Sequence, residues 1–94
     1  MGAPTVSVRL ISDDTRVFTL EACLREGGEE TSHTVTVGRD LLARLAPGES
    51  AEGFVRRCFA FLLAREPKES ILRRFDVSVI GRYFPEFEET IAVR

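Results

Sequence analysis

Few side chains in this sequence could carry out chemistry, and none has a recognisable partner. His33 is the only histidine, and catalysis or metal binding would require further ligands or bases at fixed spacing. Three acidic pairs, Asp13-Asp14, Glu29-Glu30 and Glu88-Glu89, fall in turns or on an exposed helix side, where carboxylates are usually solvated. The sequence contains no nucleophile elbow and no glycine-rich phosphate loop. We therefore expect a structural His33 at a sheet edge, and no enzyme, catalytic residue, cofactor or metal.

The two cysteines are expected to be reduced and to differ in environment. Cys58 lies among apolar residues of a helix and should behave as a small buried hydrophobe, whereas Cys23 points outward from a strand. The chain shows no signal peptide and no apolar run near the ~20 residues that a membrane span requires. These features predict a cytoplasmic protein without a membrane partner.

The arginines raise the question of a nucleic-acid surface. Two doublets, Arg56-Arg57 and Arg73-Arg74, could bind phosphate groups, but the formal net charge is −2. Glu52, Glu66 and Glu69 are interspersed with these arginines, as is typical of solvated helix faces. Nucleic-acid binding is therefore not expected.

The elements that must position these residues are dominated by one helix, predicted over 51–66. Its apolar positions recur at helical spacing, which indicates a face packed on a core. Ser50 is a suitable N-cap for it. The residues of the inward stripe are Ala51, Phe54, Val55, Cys58, Phe59 and Leu62.

The opposite side of this helix is small rather than polar, which predicts a second contact surface. The candidate interface residues are Gly53, Arg56, Arg57, Ala60 and Ala64. Small residues allow close approach, so we expect a protein partner there, with a homodimer as the first candidate. The alternative is that residues 77–92 of the same chain cover this side.

Alternation of apolar and polar residues predicts three strands before the helices, over residues 5–11, 18–25 and 32–37. Short connections favour an antiparallel meander that is covered on one face. After the long helix, further short helices are predicted: one carrying Ile71, Leu72 and Phe75, and another capped by Asp76. The fold class is α+β, with three strands followed by about four helices in one domain over 1–94.

Two local resemblances add expectations. Residues 33–66, from His-Thr-Val-Thr-Val through Gly48-Glu-Ser and the long helix, resemble the ribbon–helix–helix family. That resemblance implies an intertwined dimer that binds DNA through paired strands, with Thr34 and Thr36 at the base-reading positions. The segment 69–87 resembles the C-terminal part of small bacterial proteins of unknown function, which implies a bacterial setting and no activity.

These observations favour a small non-catalytic binding or assembly module. A DNA-binding regulator of the ribbon–helix–helix or antitoxin type is the alternative. A small enzyme ranks third, because the sequence shows no set of polar residues that would converge on one site.

Overall fold

In the part of the chain that the structure describes, the sheet contains one strand more than the sequence predicted. The computed structural model describes residues 4–93. Three strands form the expected antiparallel meander, and a short fourth strand pairs in parallel with the third, giving the order β1-β2-β3-β4. The strands are β1 (Thr5–Asp13), β2 (Val17–Glu26), β3 (Glu29–Gly38) and β4 (Arg74–Asp76).

The meander has an apolar inner face and a polar outer face, as its period-two sequence dictates. Leu20, Leu24 and Val35 are fully buried on the inner face. Gly27 connects β2 to β3 in a two-residue turn, and its positive φ of 63° is a conformation that glycine adopts without strain. The outer face carries threonine, serine and charged side chains that are exposed or half-buried.

Within residues 4–93, four α-helices and two 3-10 turns accompany the sheet, so the α+β prediction is confirmed. The helices are α1 (Arg39–Leu45), α2 (Ala51–Leu63), α3 (Ile80–Tyr83) and α4 (Phe87–Ile91), and the 3-10 turns span Lys68–Ser70 and Val77–Val79.

Helix α2 is the predicted central helix, and its sequence explains its start and its packing. The Ser50 hydroxyl accepts a hydrogen bond from the Gly53 amide at 3.0 Å, which caps the first turn. Every residue of the predicted inward stripe is buried. Phe61 is buried as well, edge-to-face with Phe84 and Phe87 at centroid distances of 5.8 and 5.1 Å. The helix ends at Leu63, three residues before the predicted end.

The helix predicted around Ile71, Leu72 and Phe75 is wrong. These residues follow a 3-10 turn and lead into β4, because the Thr34 amide donates to the Arg73 carbonyl at 2.8 Å and draws the chain into the sheet. Asp76 then caps a 3-10 turn rather than an α-helix, and its carboxylate accepts from the Ser78 amide.

Candidate binding surfaces

An apolar groove of about 200 Å³ opens between the end of α2, the chain leading into β4, and α3. Its floor is buried, whereas Leu72 and Tyr83 on its rim are 49% and 69% exposed. Glu66 is the charged residue of the lining. The apolar lining residues are Leu62, Ile71, Leu72, Phe75, Val79, Ile80 and Tyr83.

His33 holds one wall of this groove from inside the protein. Its Nδ1 lies 2.7 Å from the Leu72 carbonyl oxygen, and its Nε2 lies 2.9 Å from the Thr31 hydroxyl. Because a carbonyl only accepts, Nδ1 carries the proton and Nε2 accepts from Thr31 in the neutral ring. Burial lowers the pKa of His33 despite the hydrogen bond to Leu72, and nearby Arg73 lowers it further.

Both ring nitrogens of His33 thus have hydrogen-bond partners inside the protein, but the predicted position at a sheet edge is wrong. Strand β4 pairs with β3 beyond it, so β3 is an inner strand. The imidazole is buried and packs against Phe59 at a centroid distance of 5.6 Å.

Lys68, the only lysine of the chain, is a buried charge that the sequence interpretation missed. Its side chain is 1% exposed, and Nζ lies 3.4 Å from Glu29 and 3.8 Å from Glu26, besides its hydrogen bond to Glu69. The hydrogen bond to Glu69 is the main cause that raises the pKa of Lys68, and the same bond lowers the pKa of Glu69. Lys68 thus ties the β2–β3 turn to the 3-10 turn.

The acidic pairs do not converge on a site. Asp14 accepts hydrogen bonds from the amides of Arg16 and Val17, which lower its pKa and close the β1–β2 turn. Glu88 pairs with Arg44 at 2.9 Å on the surface. Within residues 4–93, no group of three or more histidine, cysteine, aspartate or glutamate side chains is placed to hold a metal ion.

The two cysteines lie on opposite sides of the sheet. Cys58 is buried in the core, and burial raises its pKa to about 12. Cys23 is half-buried on the outer face, where it stands between Ser7 of β1 and Ser32 of β3. Both thiols are free.

The candidate interface on the back of α2 divides into an exposed and a partly enclosed half. Arg56, Ala60 and Ala64 are exposed, so residues 77–92 do not cover them within the described chain. Gly53 serves the helix cap, since a Cβ there would lie 3.1 Å from the Ser50 hydroxyl oxygen. The role of this surface as an interface stays a prediction.

The arginine doublets do not form one basic surface. Arg57 of the first doublet pairs with Glu49 at 2.6 Å and donates to the Ile91 carbonyl at 2.7 Å. Arg73 and Arg74 are exposed at β4. The ribbon–helix–helix geometry requires a strand with a free edge, whereas β3, which carries Thr34 and Thr36, is paired with β2 and β4. The DNA-binding alternative itself stays a prediction.

The outer edge of β1 is the third candidate surface. This strand ends the sheet order, and it pairs with β2 on its inner side. Pairing is regular from Thr5 to Leu10 and shifts register before Ser12. The Arg9 guanidinium turns toward β2, where it lies 2.7 Å from the Glu21 carboxylate.

Comparison of the chain with protein-family models, with curated proteins and with solved structures finds no match. Among residues 4–93, none of the helices combines the length and apolar character needed to cross a membrane. The surfaces themselves must therefore support any functional conclusion.

Proposed function

We propose that this protein is a non-catalytic binding module whose groove takes a bulky apolar side chain from a partner protein. The observation that carries the proposal is an apolar groove with an exposed apolar rim formed by Leu72 and Tyr83. A cavity of ~150 Å³ can hold a benzene ring, so the groove, at about 200 Å³, has room for one aromatic or branched side chain.

The charge at the groove defines the partner further. Glu66 is half-buried at the lining and acidic, so a basic residue beside the apolar anchor would face a carboxylate. The partner segment proposed is a bulky apolar residue followed by lysine or arginine.

A cytoplasmic location is proposed together with this function. The two free cysteines lie on opposite faces of the sheet and form no disulfide in the described structure. Such thiols persist in a reducing compartment.

The test is an NMR titration of the 15N-labelled protein with acetyl-Phe-Arg-amide, with acetyl-Phe-Glu-amide as the charge-reversed peptide. We expect shifts centred on the groove and dissociation constants of about a millimolar. The Arg peptide should bind on the order of 5-fold more tightly, because an ion pair at the protein surface typically contributes about 1 kcal/mol or less. Glu66→Gln should remove that preference while the groove still takes the ring.

Leu72→Ser should weaken both peptides, whereas Val93→Ser is the matched control. Leu72 and Val93 are each 49% exposed, but only Leu72 lines the groove. The proposal is contradicted if no chemical-shift changes appear at ~10 mM peptide. It is also contradicted if Leu72→Ser and Val93→Ser weaken binding equally.

A further inference from the structure

We propose that the outer edge of β1 pairs antiparallel with β1 of a second copy, joining two four-stranded sheets into one sheet of eight strands. This surface is separate from the groove, so the inference goes beyond the binding function proposed above.

Strand β1 forms one edge of the sheet. An edge strand presents unpaired backbone N–H and C=O groups, and natural proteins usually protect such edges with lysine, proline or a bulge. Strand β1 contains no lysine and no proline, and its irregularity lies beyond Leu10. Six consecutive residues, 5–10, therefore form a regular edge.

The inner face of β1 carries apolar side chains. Val6 and Val8 are half-buried against the core, and Leu10 on the same face is 36% exposed. The apolar inner layer is thus incompletely covered where the sheet ends. A strand added at this edge would continue the layer, because its own inward residues would extend the same face.

The regular part of the β1 edge carries one charged side chain. Arg9 is the charged residue between Thr5 and Leu10, and its ion pair with Glu21 draws the guanidinium toward β2 rather than across the edge. The pair with Glu21 leaves room for a neighbouring strand, while the positive charge of Arg9 still restricts which residue can lie opposite it.

These residues also select one register for two identical strands. Antiparallel self-pairing must keep inward residues opposite inward residues. A twofold axis at Val8 places Val6 opposite the second copy's Leu10 and covers that exposed leucine. It also places Ser7 opposite the second copy's Arg9, whereas an axis at Arg9 would set two like charges face to face. The axis at Val8 is therefore preferred.

The register gives a test in which two substitutions at one exposed site act in opposite directions. We expect sedimentation equilibrium to show a wild-type dimer at roughly 100 µM protein. Ser7→Arg places arginine against Arg9 twice per dimer and should raise the dissociation constant on the order of tenfold. Ser7→Glu should lower it by a similar factor, because each glutamate then faces an arginine.

Ala43→Arg is the matched control for the added charge, since Ala43 is exposed on α1, outside the sheet. It should leave the dimer unchanged. A wild type that is monomeric at this concentration overturns the proposal. So does a dimer that responds equally to Ser7→Arg and Ser7→Glu, or one that is dissociated by Ala60→Glu on the back of α2 instead.

Discussion

The two faces of the sheet use the same alternating strands for different purposes. The inner face holds Leu20, Val35 and His33 under α2, and every polar atom of His33 has a protein partner. The outer face holds pairs such as Arg9–Glu21, in which solvent and salt screen the attraction between the two charges. Stability therefore resides in the inner layer. Both proposed binding surfaces lie where that layer reaches the protein surface, at the groove and at the edge of β1.

The largest expected difference between the two faces is in the rate at which their cysteines react with iodoacetamide. Cys23 on the outer face is expected to react with iodoacetamide at least ~1000-fold faster than Cys58, because labelling of Cys58 requires unfolding and the unfolded fraction of a stable domain is ~10⁻³ or less. Peptide mapping by mass spectrometry after timed quenching measures both rates. Comparable native-state rates would show that Cys58 is not enclosed as described.

Substitutions at two adjacent residues of α2 should give the next largest difference, in the free energy of unfolding. Phe59→Ala should lower the free energy of unfolding by ~3–5 kcal/mol, because it removes a fully buried ring and leaves a cavity beside His33 and Phe75. Ala60→Ser, at the exposed neighbouring position, should change it by less than ~0.5 kcal/mol. Urea denaturation followed by circular dichroism provides both values. A loss below ~1 kcal/mol for Phe59→Ala would contradict the assignment of the core.

A smaller effect is expected when the ring of His33 is kept but its polar atoms are removed. His33→Phe should cost ~1–3 kcal/mol at pH 7, because the Leu72 carbonyl and the Thr31 hydroxyl lose their partner. The measurement is the same urea denaturation.

The same variant tests the pH dependence of the inner face. The pKa of His33 is lowered in the folded state, so the unfolded chain binds the proton more readily. The contribution of His33 to stability is therefore complete above the unfolded pKa of ~6.5 and is lost as the pH falls from there through the folded pKa. The wild type should lose stability between pH 7 and about 5.5, and His33→Phe should lose less over that interval. If the free energy of unfolding fell by the same amount in the wild type and in His33→Phe over this interval, the predicted direction of the pH dependence would be refuted.

Local signals made part of the fold predictable from sequence. The apolar residues of α2 recur at intervals of three or four positions directly after the N-cap Ser50, and apolar and polar residues alternate within each strand of the meander. These patterns are local, so no distant contact was needed to recognise the elements. Leu72 and Phe75 also have helical spacing, but pairing of residues 74–76 with β3 overrides it. The burial of Lys68 depends on Glu26 and Glu29, about 40 residues earlier in the chain, and no local pattern contains that information.

The groove was missed for the same reason. Its lining comes from residues between Leu62 and Tyr83, and it exists only because the chain turns at the 3-10 turn and returns to the sheet. The grouping of Gly53, Ala60 and Ala64 on one side of α2 was predictable, because it follows from helical spacing alone.

The parallel pairing of β4 has a consequence for the order of folding. Residue Thr34 lies opposite Arg74, so this contact closes a loop of 40 residues, whereas the β2–β3 hairpin closes a turn of two. Loop-closure entropy favours the hairpins first and the three-residue β4 last. The strand added last, with the fewest ladder bonds, is also the first to open in native-state fluctuations. Phe75 belongs to both β4 and the groove, so local opening of β4 would remove the groove before the meander is disturbed. Hydrogen exchange would detect this opening as weaker protection of the β4 amides than of the meander amides.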